Sequence, residues 1–256
     1  MSNDAPIGVF DSGVGGVSVL RELRALLPRE ALIYYADSAH CPYGGKPRDA
    51  ILARACAITE ELLTRGCKLI VVACNTATIA AVEHLRATYP VPFVGMEPAV
   101  KPAAAATRSG VVGVLATGAA LAGEKFHHLV ATHARDVRVI TQPCPGLVEQ
   151  VERGALDTPQ TRTLVEHYVQ PLREQGADVL VLGCTHYPFL RPLIQQVAGA
   201  DVALLDTGAA VARQVQRVLQ REALARAGEP AGEVLWRASG DAVQTARLCQ
   251  ALFAGP

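Results

Sequence analysis

The chain has 256 residues, half of them hydrophobic, and its 24 Lys plus Arg balance 24 Asp plus Glu. Zero net charge leaves no field to draw the protein onto nucleic acid or an acidic membrane surface, and so large an apolar fraction excludes a disordered chain. Seven cysteines, with no Cys-x-x-Cys pair and no zinc-like histidine spacing, argue against a disulfide framework or a metal site and for reduced thiols in a cytoplasm.

Met1 to Pro6 carries no signal-like core, and no apolar run approaches the roughly 18 residues of a membrane span, so neither secretion nor membrane insertion is expected. Ile7 to Phe10 reads as a first strand, broken by Asp11, Ser12 and the cluster Gly13, Gly15 and Gly16. Val17, Leu20, Leu23 and Leu27 then recur at helical spacing until Pro28. Leu32 to Tyr35 is a second strand, leading into Ala36-Asp37-Ser38 and the loop Cys41-Pro42-Tyr43-Gly44-Gly45. Pro47 opens a helix with Ile51, Ala55, Ile58 and Leu62 on one face, closed by Gly66. The run Leu69 to Val72 is a buried strand that delivers Cys74 to the start of a loop, a helix covers Thr76 to Tyr89, and Pro92 to Gly95 makes a further strand.

The pattern then starts again. Val111 to Ala116 is a strand with Thr117-Gly118 at its end, a helix is expected over Leu121 to His133, and Val137 to Gln142 is the next strand. Leu147 to Glu152 is a short helix, and Thr158-Pro159 opens another that ends at Gly176. Val179 to Leu182 delivers Cys184, a helix follows near Leu190 to Val197, and Val202 to Leu205 closes the set. Ile7 lies against Val112, Cys74 against Cys184 and Val91 against Val202, offsets of 105, 110 and 111 that drift by only six residues. Two copies of one α/β unit are therefore expected. Val211 to Arg226, Val234 to Ala238 and Asp241 to Phe253 read as helix, strand and helix that fit neither copy. The chain is expected to return to its first half, giving domains 1–96 plus 209–256 and 97–208.

Chemistry in open parallel sheets collects at the carboxyl ends of strands, where both cysteines stand. Two similar domains in pseudo-twofold arrangement would face Cys74 and Cys184 across a cleft. Two thiols on opposite sides of one carbon suit a racemase or epimerase, because inverting a centre needs a base on one face and an acid on the other. Asp11 is a candidate to assist Cys74 or else a helix N-cap, and His186 a candidate to assist Cys184 or else a polar loop residue.

At these positions the chain resembles the cofactor-independent glutamate racemases. The likeness lies in Phe10-Asp11-Ser12-Gly13-Val14-Gly15-Gly16, Ala36-Asp37-Ser38 with Pro42-Tyr43-Gly44, Ala73-Cys74-Asn75-Thr76, Gly183-Cys184-Thr185-His186-Tyr187-Pro188, and Ser239-Gly240-Asp241. The resemblance implies interconversion of L- and D-glutamate without pyridoxal phosphate, metal or nucleotide, to supply D-glutamate for peptidoglycan. It implies Cys74 and Cys184 as the acid/base thiols, Asp11, His186 and Glu152 as assistants, and Ser12, Tyr43, Gly44, Asn75, Thr76, Thr117 and Thr185 as substrate contacts beside Asp11 and His186. The partner expected is glutamate rather than nucleic acid or a membrane, and a homodimer stays open. Where the family shows two hydroxyl residues and a tyrosine after Thr117, this chain has Ala120, Gly123 and Phe126. Two other readings stay open on the residues alone: a two-thiol enzyme acting on aspartate, a hydantoin or a maleate-like acid, and a module that binds a small anion without chemistry.

Overall fold

The computed structural model describes residues 4–229 and 234–255. Residues 1–3 of the N-terminal stretch lie outside the described residues. The first part of the chain runs β1 (Ile7–Asp11), α1 (Val17–Leu26), β2 (Leu32–Ala36), α2 (Arg48–Thr64), β3 (Leu69–Val72), α3 (Asn75–Thr88) and β4 (Phe93–Val94). Every residue of β1, β2 and β3 is buried, as expected of parallel strands covered by helices on both faces.

The second part runs α4 (Val100–Ala106), β5 (Val111–Ala116), α5 (Gly118–Ala122), α6 (Glu124–His133), β6 (Arg138–Pro143), α7 (Leu147–Glu152), α8 (Pro159–Glu174), β7 (Val179–Leu182), α9 (Arg191–Ala198) and β8 (Ala203–Leu205). Then follow α10 (Gly208–Arg221), β9 (Leu235–Ala238) and α11 (Ala242–Ala254). Among the described residues no helix is long and apolar enough to cross a membrane.

Three elements differ from the sequence reading, each for a local reason. The helix expected over 121–133 is two helices, because Gly123 is extended (φ −73°, ψ 138°) and both closes α5 and opens α6. Helix α4 has no counterpart in the reading, since Val-Lys-Pro-Ala-Ala-Ala-Ala carries no apolar period; its proline sits in the first turn, where no backbone donor is lost. The tail helix stops at Arg221 rather than Arg226. Ala223 turns into the left-handed region at φ 53°, and the Leu224 N–H donates back to Leu219 O at 2.8 Å.

The chain divides into two compact units, one built from the described residues up to Met96 together with those from Gly208 on, the other Glu97–Thr207. The division falls one residue before the expected 208/209 boundary because Gly208 already belongs to α10. The first unit has an all-parallel sheet in the order β4-β3-β1-β2-β9, and the second an all-parallel sheet in the order β6-β5-β7-β8. Read from its other edge, the second order is β8-β7-β5-β6, the same path without an equivalent of β9. The registers also coincide. Ile7 pairs with Leu69 and Leu32, Val112 with Val179 and Val139, while Ile70 pairs with Phe93 and Leu180 with Leu204. These are the residues related by the offsets near 110. The helices leading into β3 and β7 end alike, at Gly66 (φ 76°) and Gly176 (φ 88°), a backbone region open to glycine.

The tail completes the first unit. Strand β9 adds to the edge of β2, α10 packs on α1, and α11 packs on α1 and β9.

Candidate active site

In the first unit the site residues gather at the carboxyl ends of β1, β2 and β3. Asp11 is the last residue of β1 and fully buried. Its Oδ1 accepts from the Ser12 N–H at 2.7 Å and the Ser12 hydroxyl at 3.3 Å, and its Oδ2 accepts from the Gly16 N–H at 2.6 Å. The Cys74 Sγ lies 3.9 Å from the Ser12 Oγ, so the serine hydroxyl links carboxylate and thiol.

Cys74 is the N-cap of α3 rather than a loop residue. Strand β3 ends at Val72, and the Cys74 Sγ accepts from the Ala77 N–H at 3.5 Å, which sets the sulfur on the positive end of a 14-residue helix. Asn75 and Thr76, the first residues of α3, are buried beside it, and the Asn75 Oδ1 has no hydrogen-bond partner among the described residues. Tyr43 is buried in the core cluster that also contains Cys74, and Gly44 is half-buried.

The second unit uses different parts at matching places. The residue equivalent to Asp11 is Ala116, so no carboxylate stands at the end of β5. Thr117, the equivalent of Ser12, caps α5 by accepting from the Ala120 N–H at 3.3 Å. Cys184 follows β7, but the chain then enters a 3-10 turn, Tyr187–Leu190, instead of an α-helix. In place of a helix N-terminus the sulfur has an imidazole: the His186 Nδ1 is 3.6 Å from the Cys184 Sγ, and its Nε2 is 2.6 Å from the Glu152 Oε1 at the end of α7. His186 is 1% exposed and Thr185 beside it 3%.

The equivalent of Thr76 is thus a histidine, and the ionisable group beside the thiol comes from after β7 in this unit and from the end of β1 in the other. Cys144, near Cys184, is buried with its thiol donating to Gln142 O, and burial together with the Cys184 charge pushes that thiol up. Tyr187 is raised by burial first and the nearby thiols second. Both are neutral supports at neutral pH.

Sequence reasoning missed one cluster. Asp37, fully buried just past β2, accepts from the Tyr43 hydroxyl at 2.5 Å, from both arms of the Arg54 fork at 2.8 and 3.0 Å, and pairs with the His40 Nδ1 at 3.0 Å. Burial alone would raise this carboxyl, but the hydrogen bonds from Arg54, Tyr43 and Ser239 outweigh it and hold Asp37 below its ordinary value. Asp37 stood in the Ala36-Asp37-Ser38 motif; nothing local in the sequence pointed to Arg54 as its partner.

Residues 7–215 match the model of the Asp/Glu/Hydantoin racemase family. A glutamate racemase of Herpetosiphon aurantiacus is 58% identical over 249 residues, covering 97% of this chain and 98% of the relative. The crystal structure of glutamate racemase from Thermus thermophilus in complex with β-chloro-D-alanine is 40% identical with a TM-score of 0.79, and the match covers 100% of this chain and 95% of that one. That of Escherichia coli glutamate racemase in complex with L-glutamate and the activator UDP-MurNAc-ala is 33% identical with a TM-score of 0.85, over 95% and 92% of the two chains.

Proposed function

The chain belongs to the Asp/Glu/Hydantoin racemase family, and we propose that its reaction is the interconversion of L- and D-glutamate, with Cys74 and Cys184 as the two acid/base groups on opposite faces of one α carbon. The observation that carries this reading is the pair of cysteines at register-equivalent strand ends, each with its own neighbours for handling a thiol proton. Cys74 has the N-terminus of α3 and the Ser12–Asp11 pair; Cys184 has His186 and Glu152.

An ionised Glu152 keeps the His186 proton on Nε2 and leaves the Nδ1 lone pair facing the Cys184 thiol, which can then give up its proton. For L-glutamate, Cys184 removes the α proton as thiolate while Cys74 delivers one from the other face; for D-glutamate the roles exchange. The buried, unpartnered Asn75 Oδ1 suits an N–H of the substrate ammonium. Ser12, Tyr43, Gly44, Thr76, Thr117 and Thr185 complete the proposed contacts. The substrate is favoured by the glutamate bound in the Escherichia coli relative and by the names of relatives of similar length. Seven cysteines, none of them in a disulfide, suit a reducing cytoplasm, and the product would serve peptidoglycan synthesis.

The test is racemisation in deuterated water. Purified protein given L-glutamate should bring optical rotation to zero and place deuterium at the α carbon of the inverted product. Rotation unchanged at high enzyme concentration, while aspartate or a hydantoin is turned over, would move the chain to another member of the family.

A further inference from the structure

We propose that Asp37, backed by the Ser239-Gly240-Asp241 segment of the tail, is a positioning residue that fixes the Tyr43-Gly44 loop for substrate; the proposal rests on the racemase reading above. Asp37 is a junction of four parts of the first unit. Its N–H donates to Asp11 O at 2.9 Å, which ties it to the end of β1. Its carboxylate receives Tyr43 from the loop, Arg54 from α2 and the hydroxyl of Ser239 from the end of β9.

The tail segment meets the turn after β2 over several bonds. The Ser239 Oγ accepts from the Ala39 N–H at 3.1 Å, and the Thr245 hydroxyl donates to the Ser38 Oγ at 3.2 Å. Gly240 permits the approach, since a Cβ there would lie 2.9 Å from the Ser38 Oγ and 3.2 Å from the Ala39 N. Asp241 then caps α11 by accepting from the Val243 and Gln244 N–H groups, so the strand-to-helix turn that carries Ser239 is itself fixed.

This assigns a role to a motif that proton transfer does not use. The Tyr43 side chain is 1% exposed and its only hydrogen goes to Asp37, so the tyrosine acts as the inner anchor of its loop. A carboxylate that accepts from four side chains has a defined orientation, and the loop inherits it. The Asp37 carboxylate bonds to neither thiol in the hydrogen bonds described, and its link toward Cys74 runs through its own N–H to Asp11 O, a backbone bond that a side-chain substitution keeps, so its influence falls on substrate affinity rather than on the proton-transfer step.

The experiment compares full-length wild type with Asp37→Asn, Tyr43→Phe, the double variant and Ser239→Ala, by steady-state racemisation and by calorimetric titration of glutamate. Arg54 donates to both oxygens of Asp37, so an amide at 37, with one oxygen and no charge, must set its NH2 against Arg54 in either orientation; Asp37→Asn should therefore raise KM and the glutamate Kd about tenfold, the loss of one charge-assisted hydrogen bond, with kcat kept within about threefold. The double variant should be no worse than Asp37→Asn, because the Tyr43 hydroxyl acts only through Asp37. Ser239→Ala, which leaves Arg54 and Tyr43 in place, should give a smaller rise of the same kind and keeps the test open if Asp37→Asn does not fold. Unchanged KM with a large fall in kcat, or additive effects in the double variant, would overturn the proposal. A wild type that binds glutamate without turnover would contradict the functional reading alone, and a variant that binds glutamate as tightly as wild type would contradict this one alone.

Discussion

At the scale of single residues, the two thiols are served by unlike chemistry. Cys184 has an imidazole whose far nitrogen is fixed by Glu152 at 2.6 Å, whereas Cys74 has a helix N-terminus and a hydroxyl that leads to Asp11. In the proposed mechanism Glu152→Gln removes the charge that holds the proton on the His186 Nε2, and the carboxylate partner of a histidine is worth about 10–100-fold where the histidine binds a metal. Racemisation should therefore slow by at least about tenfold. Enantiomers have equal free energies, so kcat/KM must fall equally in both directions, and overall racemisation cannot reveal which thiol was weakened. A half-reaction can. With a glutamate analogue carrying a leaving group on the β carbon, Glu152→Gln should slow elimination from the L form and leave the D form near the wild-type rate. Equal slowing of both forms would place Glu152 outside the service of Cys184.

At the scale of elements, the connection from helix α4 to strand β5 is stapled by a half-buried carboxylate. Asp178, just before β7, accepts from the Thr107 hydroxyl at 2.5 Å and from the Arg108 and Ser109 N–H groups at 2.7 and 3.0 Å, fixing the connection between α4 and β5. Burial would raise this carboxyl, but those bonds hold it at about 2, against an ordinary 3.8. Because the folded value is depressed, the staple contributes fully above pH 4 and is lost as pH falls through about 2. Asp178→Asn should lower stability by about 1–2 kcal/mol at pH 7, and the gap from wild type in denaturant midpoint should narrow between pH 4 and pH 2; a gap that stayed constant would mean that Asp178 is protonated in the fold. The strands themselves were legible in the sequence because buried parallel strands are written as unbroken Val, Ile and Leu runs, as at Leu69–Val72 and Val179–Leu182. Helix α4 was not, since four alanines carry no period, and neither was the break at Gly123, where apolar spacing runs on through the gap. Both thiols and their neighbours Asp11 and His186 could be named from motif and strand end. The Asp37 cluster could not, because its donors Arg54 and Ser239 are 17 and 202 positions away and meet it only through the fold.

At the scale of the whole molecule, one sheet plan is used twice in the same strand order and register, and only the first copy gains an added strand and two helices from the tail. A duplicated unit explains how one chain presents two cysteines in equivalent settings, and the divergence of their neighbours, Asp11 against Ala116 and Thr76 against His186, explains how those settings can differ in chemistry. The central claim is that each thiol addresses a different face of the same carbon. Serine hydroxyls are far weaker acids than thiols, so Cys74→Ser and Cys184→Ser should each lose most racemisation, by a factor of about 10²–10⁴. The direct measurement is elimination from both enantiomers of the β-leaving-group analogue, which needs only the first proton abstraction. Cys74→Ser should still process the L form and Cys184→Ser the D form, each nearly inert toward the other; if both variants process both enantiomers equally, the two cysteines do not divide the faces of one carbon and the two-thiol mechanism is wrong.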